Sequence, residues 1–140
     1  AAAGPWDRAR VARHALLGLT REEAVYYVAS RDSAGRPLSA DATYRISGGG
    51  IPARWWSITA YGPDYFLIPN GPGRYSFNSE TVSRGDDGRF AFLVSREPRE
   101  GDWLPLGEAE SFDLLLRLYL PDGRPSAADL PVIERVGDDE

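Results

Sequence analysis

The sequence predicts a mainly β protein, an antiparallel, jelly-roll-like β-sandwich preceded by one N-terminal helix. Apolar and polar residues alternate along several short segments, and clusters of turn residues separate these segments. The 15 Gly and 11 Pro residues also fit a loop-rich β protein better than a helix bundle. The chain has 140 residues, of which 42% are hydrophobic, so we expect a single domain with one core over residues 1–140.

A helix is predicted over residues 5–19. Pro5 suits the first turn of a helix, and Asp7 is an acid close to its positive N-terminal end. Apolar residues then recur every three or four positions, which is the spacing of one helix face. The sandwich is expected to follow over residues 24–136, and the acidic residues 137–140 are expected to form a frayed tail.

Beyond residue 24 the apolar pattern changes to strict alternation, which predicts strands. The clearest strand runs from Phe112 to Leu120, where every second residue is apolar. The first two strands are expected to form a hairpin or to lie close together, because the turn sequence Asp32–Gly35 lies between them. Residues 96–110 are predicted as a long loop. The predicted strands cover residues 25–30, 42–47, 55–61, 65–68, 89–95, 112–120 and 132–136.

The composition excludes several kinds of site. The chain has no Cys, no Lys and one His, so it holds no disulfide, thiolate metal site, cysteine nucleophile, Schiff-base lysine or pair of imidazoles. Its net charge of −5 disfavours a nucleic-acid partner, because such partners require clustered positive charge. We predict no metal and no cofactor.

Aromatic residues are concentrated between positions 55 and 103. Neighbouring strands could place several of them around one groove, where flat rings recognise sugars, peptides or other rings. The alternative is that they form the core of the sandwich. Adjacent Trp55 and Trp56 must point to opposite faces of a sheet, so one of them is expected in the core. The aromatic candidates for ligand binding are Trp56, Tyr61, Tyr75, Trp103 and Tyr119.

Three polar residues complete the set of candidates. Asn70 and Arg74 follow the end of a predicted strand, and Arg117 lies inside one. Because arginine is rarely buried without a partner, Arg117 is expected to pair with a carboxylate such as Asp113 or Glu134. The alternative is that Arg117 faces a cavity that admits an anionic ligand.

Acidic residues in the loops leave an enzymatic alternative open. Two carboxylates facing a groove could perform acid–base chemistry, as in a hydrolase or a lyase. No pair is set apart by its spacing, so no catalytic residue is assigned.

Four blocks of the sequence resemble, in order and spacing, the domain of unknown function 1214 family. They are Arg54–Tyr61, Ile68–Asn70 with Arg74–Ser76, Asp102–Pro105, and Phe112–Tyr119. Further blocks, at residues 8–12, 23–27 and 32–38, resemble its short, stand-alone bacterial members. The resemblance covers about residues 8–136. The motif positions that it carries over are Trp56, Tyr61, Asn70, Arg74, Tyr75, Trp103, Pro105, Arg117 and Tyr119.

This resemblance implies a jelly-roll fold, but no activity, cofactor, substrate or catalytic residue. Short members of the family commonly carry one hydrophobic N-terminal segment, which implies anchoring to a membrane and a location in the periplasm or cell envelope. The chain begins at Ala1 without Met, so we expect such an anchor to have been removed.

Three functions follow as hypotheses. The first is a non-catalytic, envelope-facing domain that binds a small ligand or a protein partner at an end of the sandwich bearing aromatic and arginine residues. The second is the carboxylate- and tyrosine-based hydrolase or lyase. The third is a structural subunit of a membrane-associated assembly, docked through the helix over residues 5–19.

Overall fold

Nine β-strands make up the regular structure of the part of the chain that the structure describes. The computed structural model describes residues 5–8, 24–49, 51, 53–64, 67–71, 73–121 and 129–136. No α-helix occurs within these ranges. In chain order the strands are β1 (Trp6–Arg8), β2 (Ala24–Ala29), β3 (Thr43–Gly48), β4 (Ala53–Tyr61), β5 (Ser76–Asn78), β6 (Phe90–Ser95), β7 (Trp103–Pro105), β8 (Asp113–Pro121) and β9 (Val132–Val136).

The strands form two sheets. The five-stranded sheet has the order β1-β2-β8-β4-β5, and the four-stranded sheet has the order β7-β6-β3-β9. Neighbouring strands are antiparallel except for β6 and β7, which are parallel. The long strands β4 and β8 lie in the middle of the five-stranded sheet, so their side chains alternate between the core and the outer face.

The core lies between the two sheets. Leu114, Leu116 and Leu118 of β8 are fully buried, as the alternation over residues 112–120 predicts. Aromatic rings join the sheets: the Phe77 ring centroid of β5 lies 4.8 Å from that of Phe92 on β6. The mainly β fold with its alternating core rows is therefore confirmed.

The N-terminal helix prediction is wrong at its start. Trp6–Arg8 form β1, which pairs with β2 at the edge of the five-stranded sheet. Trp6 is buried, and its indole Nε1 donates a hydrogen bond of 2.9 Å to the Pro131 carbonyl. The strand pairing and the burial of Trp6 stabilise the extended conformation more than the apolar spacing favours a helix. Pro5 suits the beginning of an edge strand as well as the first turn of a helix. The remainder of the predicted helix, and the acidic tail over 137–140, lie outside the described residues.

Two further predictions are corrected. The strands on either side of the Asp32–Gly35 turn, β2 and β3, belong to different sheets, so they do not form a hairpin. The turn itself is confirmed, because the Asp32 carboxylate accepts hydrogen bonds from the amides of Ala34 and Arg36. Within the predicted loop over 96–110 the structure contains β7, a short parallel strand.

The turn also contacts the edge strand β9. The Ser33 amide donates a 2.8 Å hydrogen bond to the Ile133 carbonyl, and the Ile133 amide donates one of 3.0 Å to the Ser33 hydroxyl. These backbone groups of β9 are therefore already bonded on the side away from β3.

Candidate functional site

The candidate residues do not lie together. Trp56 is in the core, 2% exposed, with its ring centroid 4.7 Å from that of Phe90. Trp55, on the opposite face of the same sheet, is half-buried. The expected division of the two tryptophans between core and outer face is confirmed, and Trp56 has a packing role.

A second group of candidates holds the two sheets together. We call Asn70, Arg74 and Trp103 the edge clamp. The Arg74 guanidinium Nη1 donates a 3.1 Å hydrogen bond to the Trp103 carbonyl, which links the segment before β5 to β7 of the other sheet. Its Cζ also lies 5.4 Å from the ring centroid of Phe77. Trp103 Nε1 in turn donates to the carbonyl and the hydroxyl of Ser95, at 3.1 Å each.

Asn70 organises the loop that presents Arg74. Its Nδ2 donates to the carbonyls of Ile68 and Arg74 at 3.0 and 2.9 Å, and its Oδ1 accepts from the Arg74 amide at 3.0 Å. These contacts give the edge clamp a structural role. Tyr75, next to it, is exposed, and Tyr61 lies at the end of β4 in register with Asp113.

We therefore expect Asn70→Ala to destabilise the domain by about 1–2 kcal/mol, because three side-chain hydrogen bonds are lost at a partly exposed site. Urea denaturation measures this change. Ser76→Ala on the neighbouring β5 is the control and is expected to change stability by less than about 0.5 kcal/mol. Equal stability of the two variants would contradict the structural role of Asn70.

The third group lies on the outer face of the five-stranded sheet. Arg117 of β8 is in register with Tyr26 of β2 on one side and with Ser57 of β4 on the other. Two residues further along β8, Tyr119 is in register with Trp55. Tyr26, Trp55, Arg117 and Tyr119 form a continuous patch across three strands, which we call the Arg117 face.

The Arg117 guanidinium lies between two rings. Its Cζ is 5.7 Å from the ring centroid of Tyr26 and 5.1 Å from that of Tyr119, which are cation–π distances. Its Nη2 donates a hydrogen bond to the Tyr119 hydroxyl. Its Nε is buried and makes no hydrogen bond. A charged donor is thus held in place with part of its hydrogen-bonding capacity unused.

The predicted carboxylate partner of Arg117 is not observed. Glu134 pairs instead with Arg45 of the four-stranded sheet, with 3.7 Å between Nη1 and Oε1. Asp113 lies four residues from Arg117 on the same face of β8, about 13 Å along an extended strand. No ion pair joins Arg117 to any residue that the structure describes.

Comparison with known proteins identifies the family. The sequence profile of the family described as "Protein of unknown function (DUF1214)" matches residues 23–123. The chain belongs to the DUF1214 family. All nine motif positions carried over by resemblance lie within this match. No curated protein matches the chain.

Two solved structures are similar to this DUF1214 chain. The crystal structure of the VPA0106 protein from Vibrio parahaemolyticus matches with a TM-score of 0.74 and 25% identity, over 86% of this chain and 32% of that one. An uncharacterized protein from Burkholderia cenocepacia matches with a TM-score of 0.55 and 20% identity, over 84% and 30%. The chain thus spans about a third of the length of each of these proteins.

An open cleft of about 450 Å³ lies at the end of the DUF1214 domain, between the segment after β4 and the loop after β7. Its two acids, Asp64 and Glu108, are exposed, and the rest of its lining is apolar or glycine. The one buried carboxylate among the described residues is Asp32, whose Oδ1 accepts two amides of its own turn. The lining consists of Gly62, Pro63, Asp64, Leu67, Ile68, Pro69, Glu108 and Ala109.

Two features are absent from the described residues. No group of three or more His, Asp or Glu side chains is placed to hold a metal ion. No helix in this part of the chain is long and apolar enough to cross a membrane.

The sequence alone did not single out Tyr26 or Ser57 as part of a site. Both lie beside Arg117 only because β2 and β4 pair with β8 in this register. Tyr26 was visible only as part of an alternating strand, and no spacing in the sequence connects it with a residue 91 positions away. Trp55 was identified as the partner of Trp56 on the opposite face, and the structure adds that this face also carries Arg117.

Proposed function

We propose that this DUF1214 chain is a non-catalytic binding domain that holds the anionic group of a small ligand or protein partner at Arg117. One observation carries the proposal: the buried, unbonded Nε of a guanidinium fixed between Tyr26 and Tyr119. Leaving a charged donor without a partner costs stability, and an acceptor group on a bound ligand would remove that cost. Carboxylates and phosphates both match the planar donors of arginine.

The proposed site differs in place from the one expected from sequence. The expected site was an end of the sandwich, formed by Asn70, Arg74 and Trp103 among others. In the edge clamp the Asn70 amide bonds to backbone groups of its own loop, the Trp103 indole nitrogen bonds to Ser95, and Nη1 of Arg74 bonds to the Trp103 carbonyl. The Arg117 face also combines aromatic residues with an arginine, as the original hypothesis expected. It lies on the outer face of the five-stranded sheet, however, and not at an end of the sandwich.

The other hypotheses have less support. The hydrolase or lyase would require a carboxylate facing a concave, enclosed site, whereas Asp64 and Glu108 in the cleft are exposed. The structural subunit would dock through a helix over residues 5–19, whose first part is β1. The location in the periplasm or cell envelope, the N-terminal anchor and the jelly-roll connectivity stay as proposals that rest on the family resemblance.

We expect Arg117→Met to abolish the binding of small anions, because methionine retains the apolar stem but removes every donor. The test is an NMR titration of the wild-type chain and the variant with sodium acetate, sodium benzoate and inorganic phosphate, following the amide resonances of β2, β4 and β8. In the wild type at least one anion is expected to bind with a dissociation constant on the order of 1 mM or lower.

Arg45→Met is the matched control. Arg45 is also a strand arginine, but it lies on the other sheet and already pairs with Glu134. This variant is expected to bind anions as the wild type does. The proposal fails if no anion shifts these resonances in the wild type, or if Arg117→Met binds as tightly as the wild type.

A further inference from the structure

We infer that the ligand of the Arg117 face is a monocarboxylate with a flat, apolar body, such as an aromatic acid. This inference rests on the function proposed above and specifies the chemical class that the site selects. Three properties of the face carry it: its charge, the enclosure of the guanidinium, and the apolar surface beside it.

The charge of the face favours a single negative charge on the ligand. Among the side chains that β2, β4, β5 and β8 place on this outer face, Arg117 is the one cation and Asp113 the one acid. The chain as a whole carries a net charge of −5. A doubly charged phosphate would find one cation to neutralise two charges, whereas a carboxylate is matched one to one.

The surroundings of Arg117 restrict how a ligand reaches it. Tyr26 and Tyr119, with ring centroids 5.7 and 5.1 Å from Cζ, flank the guanidinium. Because Arg117 is half-buried, an anion can approach only an edge of the guanidinium that stays exposed. A planar carboxylate placed in the plane of the guanidinium can accept two parallel hydrogen bonds from such an edge.

The surface beside the guanidinium suits a flat apolar body. The ring of Trp55 lies 5.2 Å from that of Tyr119, tilted by 56°, and both residues are half-buried. Leu115 and Val28, in register with each other on the same face, are half-buried as well. Trp and Tyr offer large rigid surfaces with little side-chain entropy to lose, so an aromatic ring on the ligand can stack there while its carboxylate meets Arg117.

The hydroxyl groups of the face are placed to assist. Ser57 is in register with Arg117, and Thr59 is in register with Leu115. Both are buried polar residues on the outer side of the central strand β4. The Ser57 hydroxyl, on the strand next to Arg117, is a further donor for a ligand oxygen that reaches the guanidinium.

The test compares three probes on the folded chain: sodium benzoate, sodium acetate and inorganic phosphate, at matched ionic strength. Benzoate is expected to bind at least about 10-fold more tightly than acetate, because it adds ring stacking to the same carboxylate contact. Phosphate is expected to bind more weakly than benzoate. Quenching of tryptophan fluorescence and NMR shifts in β4 and β8 report binding.

Trp55→Ala is the decisive variant. It is expected to lower benzoate affinity to near that of acetate while leaving acetate affinity unchanged, because it removes the stacking surface and keeps Arg117. If circular dichroism shows that the alanine variant is poorly folded, Trp55→Leu, which retains apolar bulk, replaces it in the test. This variant is expected to prefer benzoate over acetate less strongly than the wild type does. Arg45→Met again leaves both affinities unchanged.

The outcomes separate this inference from the proposed function. If binding of every anion is insensitive to Arg117→Met, the proposed function itself fails. If binding requires Arg117 but phosphate or acetate equals benzoate, only the inferred ligand class is wrong. The inference is also wrong if benzoate keeps its advantage in both Trp55 variants.

Discussion

Gly107→Ala is expected to destabilise the domain by roughly 2–5 kcal/mol, among the largest effects of any single methyl group in this chain. Gly107 has a φ of +54°, in the left-handed region that side chains other than glycine adopt at a cost. A Cβ on Gly107 would lie 2.2 Å from the Pro69 carbonyl oxygen. Because the obstacle is backbone, the main chain of one segment must move.

Gly88→Ala is the matched control for this prediction. Gly88 has a φ of +80°, but a Cβ there would have no atom within 4 Å. It carries the conformational cost alone, about 1–2 kcal/mol. Urea denaturation of both variants gives the difference. Similar losses in the two variants would show that the close approach of Gly107 to Pro69 is unimportant.

Trp56→Ala is expected to destabilise the domain by about 3–5 kcal/mol, because it removes the largest core side chain of β4 and leaves a cavity against Phe90. The core cannot close over such a cavity easily, since β4 is held between β8 and β5. The unfolding midpoint in urea is expected to fall accordingly, with the slope of the transition little changed.

The neighbouring residue supplies the control. Trp55→Ala removes the same side chain from the outer face, where it is half-buried against Tyr119, and about 1–2 kcal/mol is expected. The two variants are thus expected to differ in their main effect: Trp56→Ala mainly lowers stability, whereas Trp55→Ala mainly lowers affinity for an aromatic acid. A larger stability loss in Trp55→Ala would contradict the assignment of the two faces.

The sequence predicted the sandwich correctly in those strands that bury one face, because burial of one face produces an alternating pattern of apolar and polar residues. Along β8, strict alternation placed Leu114, Leu116 and Leu118 correctly in the core. The same alternation separated Trp55 from Trp56. Such predictions succeed because a shift of one residue would reverse every side chain of the strand, so the pattern is strongly constrained.

Predictions failed where tertiary contacts decide. The short strands β1, β5 and β7 have three residues each, too few for a pattern to identify them. The local sequence also does not determine which strands pair, so β2 and β3 were wrongly predicted to lie side by side. The edge clamp is a further case, because Asn70 and Arg74 look like exposed polar residues until their backbone partners are known.

The candidate site was predictable in its chemistry but not in its composition. An arginine inside a strand was recognised as needing either a carboxylate or an anionic ligand. The sequence could not show that Glu134 pairs with Arg45 across β3 and β9 rather than with Arg117. The neighbours Tyr26 and Ser57 come from strands far apart in sequence, so only the register of the sheet shows that they flank Arg117.

The contact between Ser33 and β9 covers part of a free sheet edge. A bare edge strand is a template on which another polypeptide can add and from which fibrils can grow. An incoming chain would have to break the bonds of 2.8 and 3.0 Å at Ile133 before it could extend the sheet. The Asp32–Gly35 turn thus occupies the free hydrogen-bonding groups of Ile133, next to Val132, which is 44% exposed, and a strand from another copy could pair there only by displacing the turn.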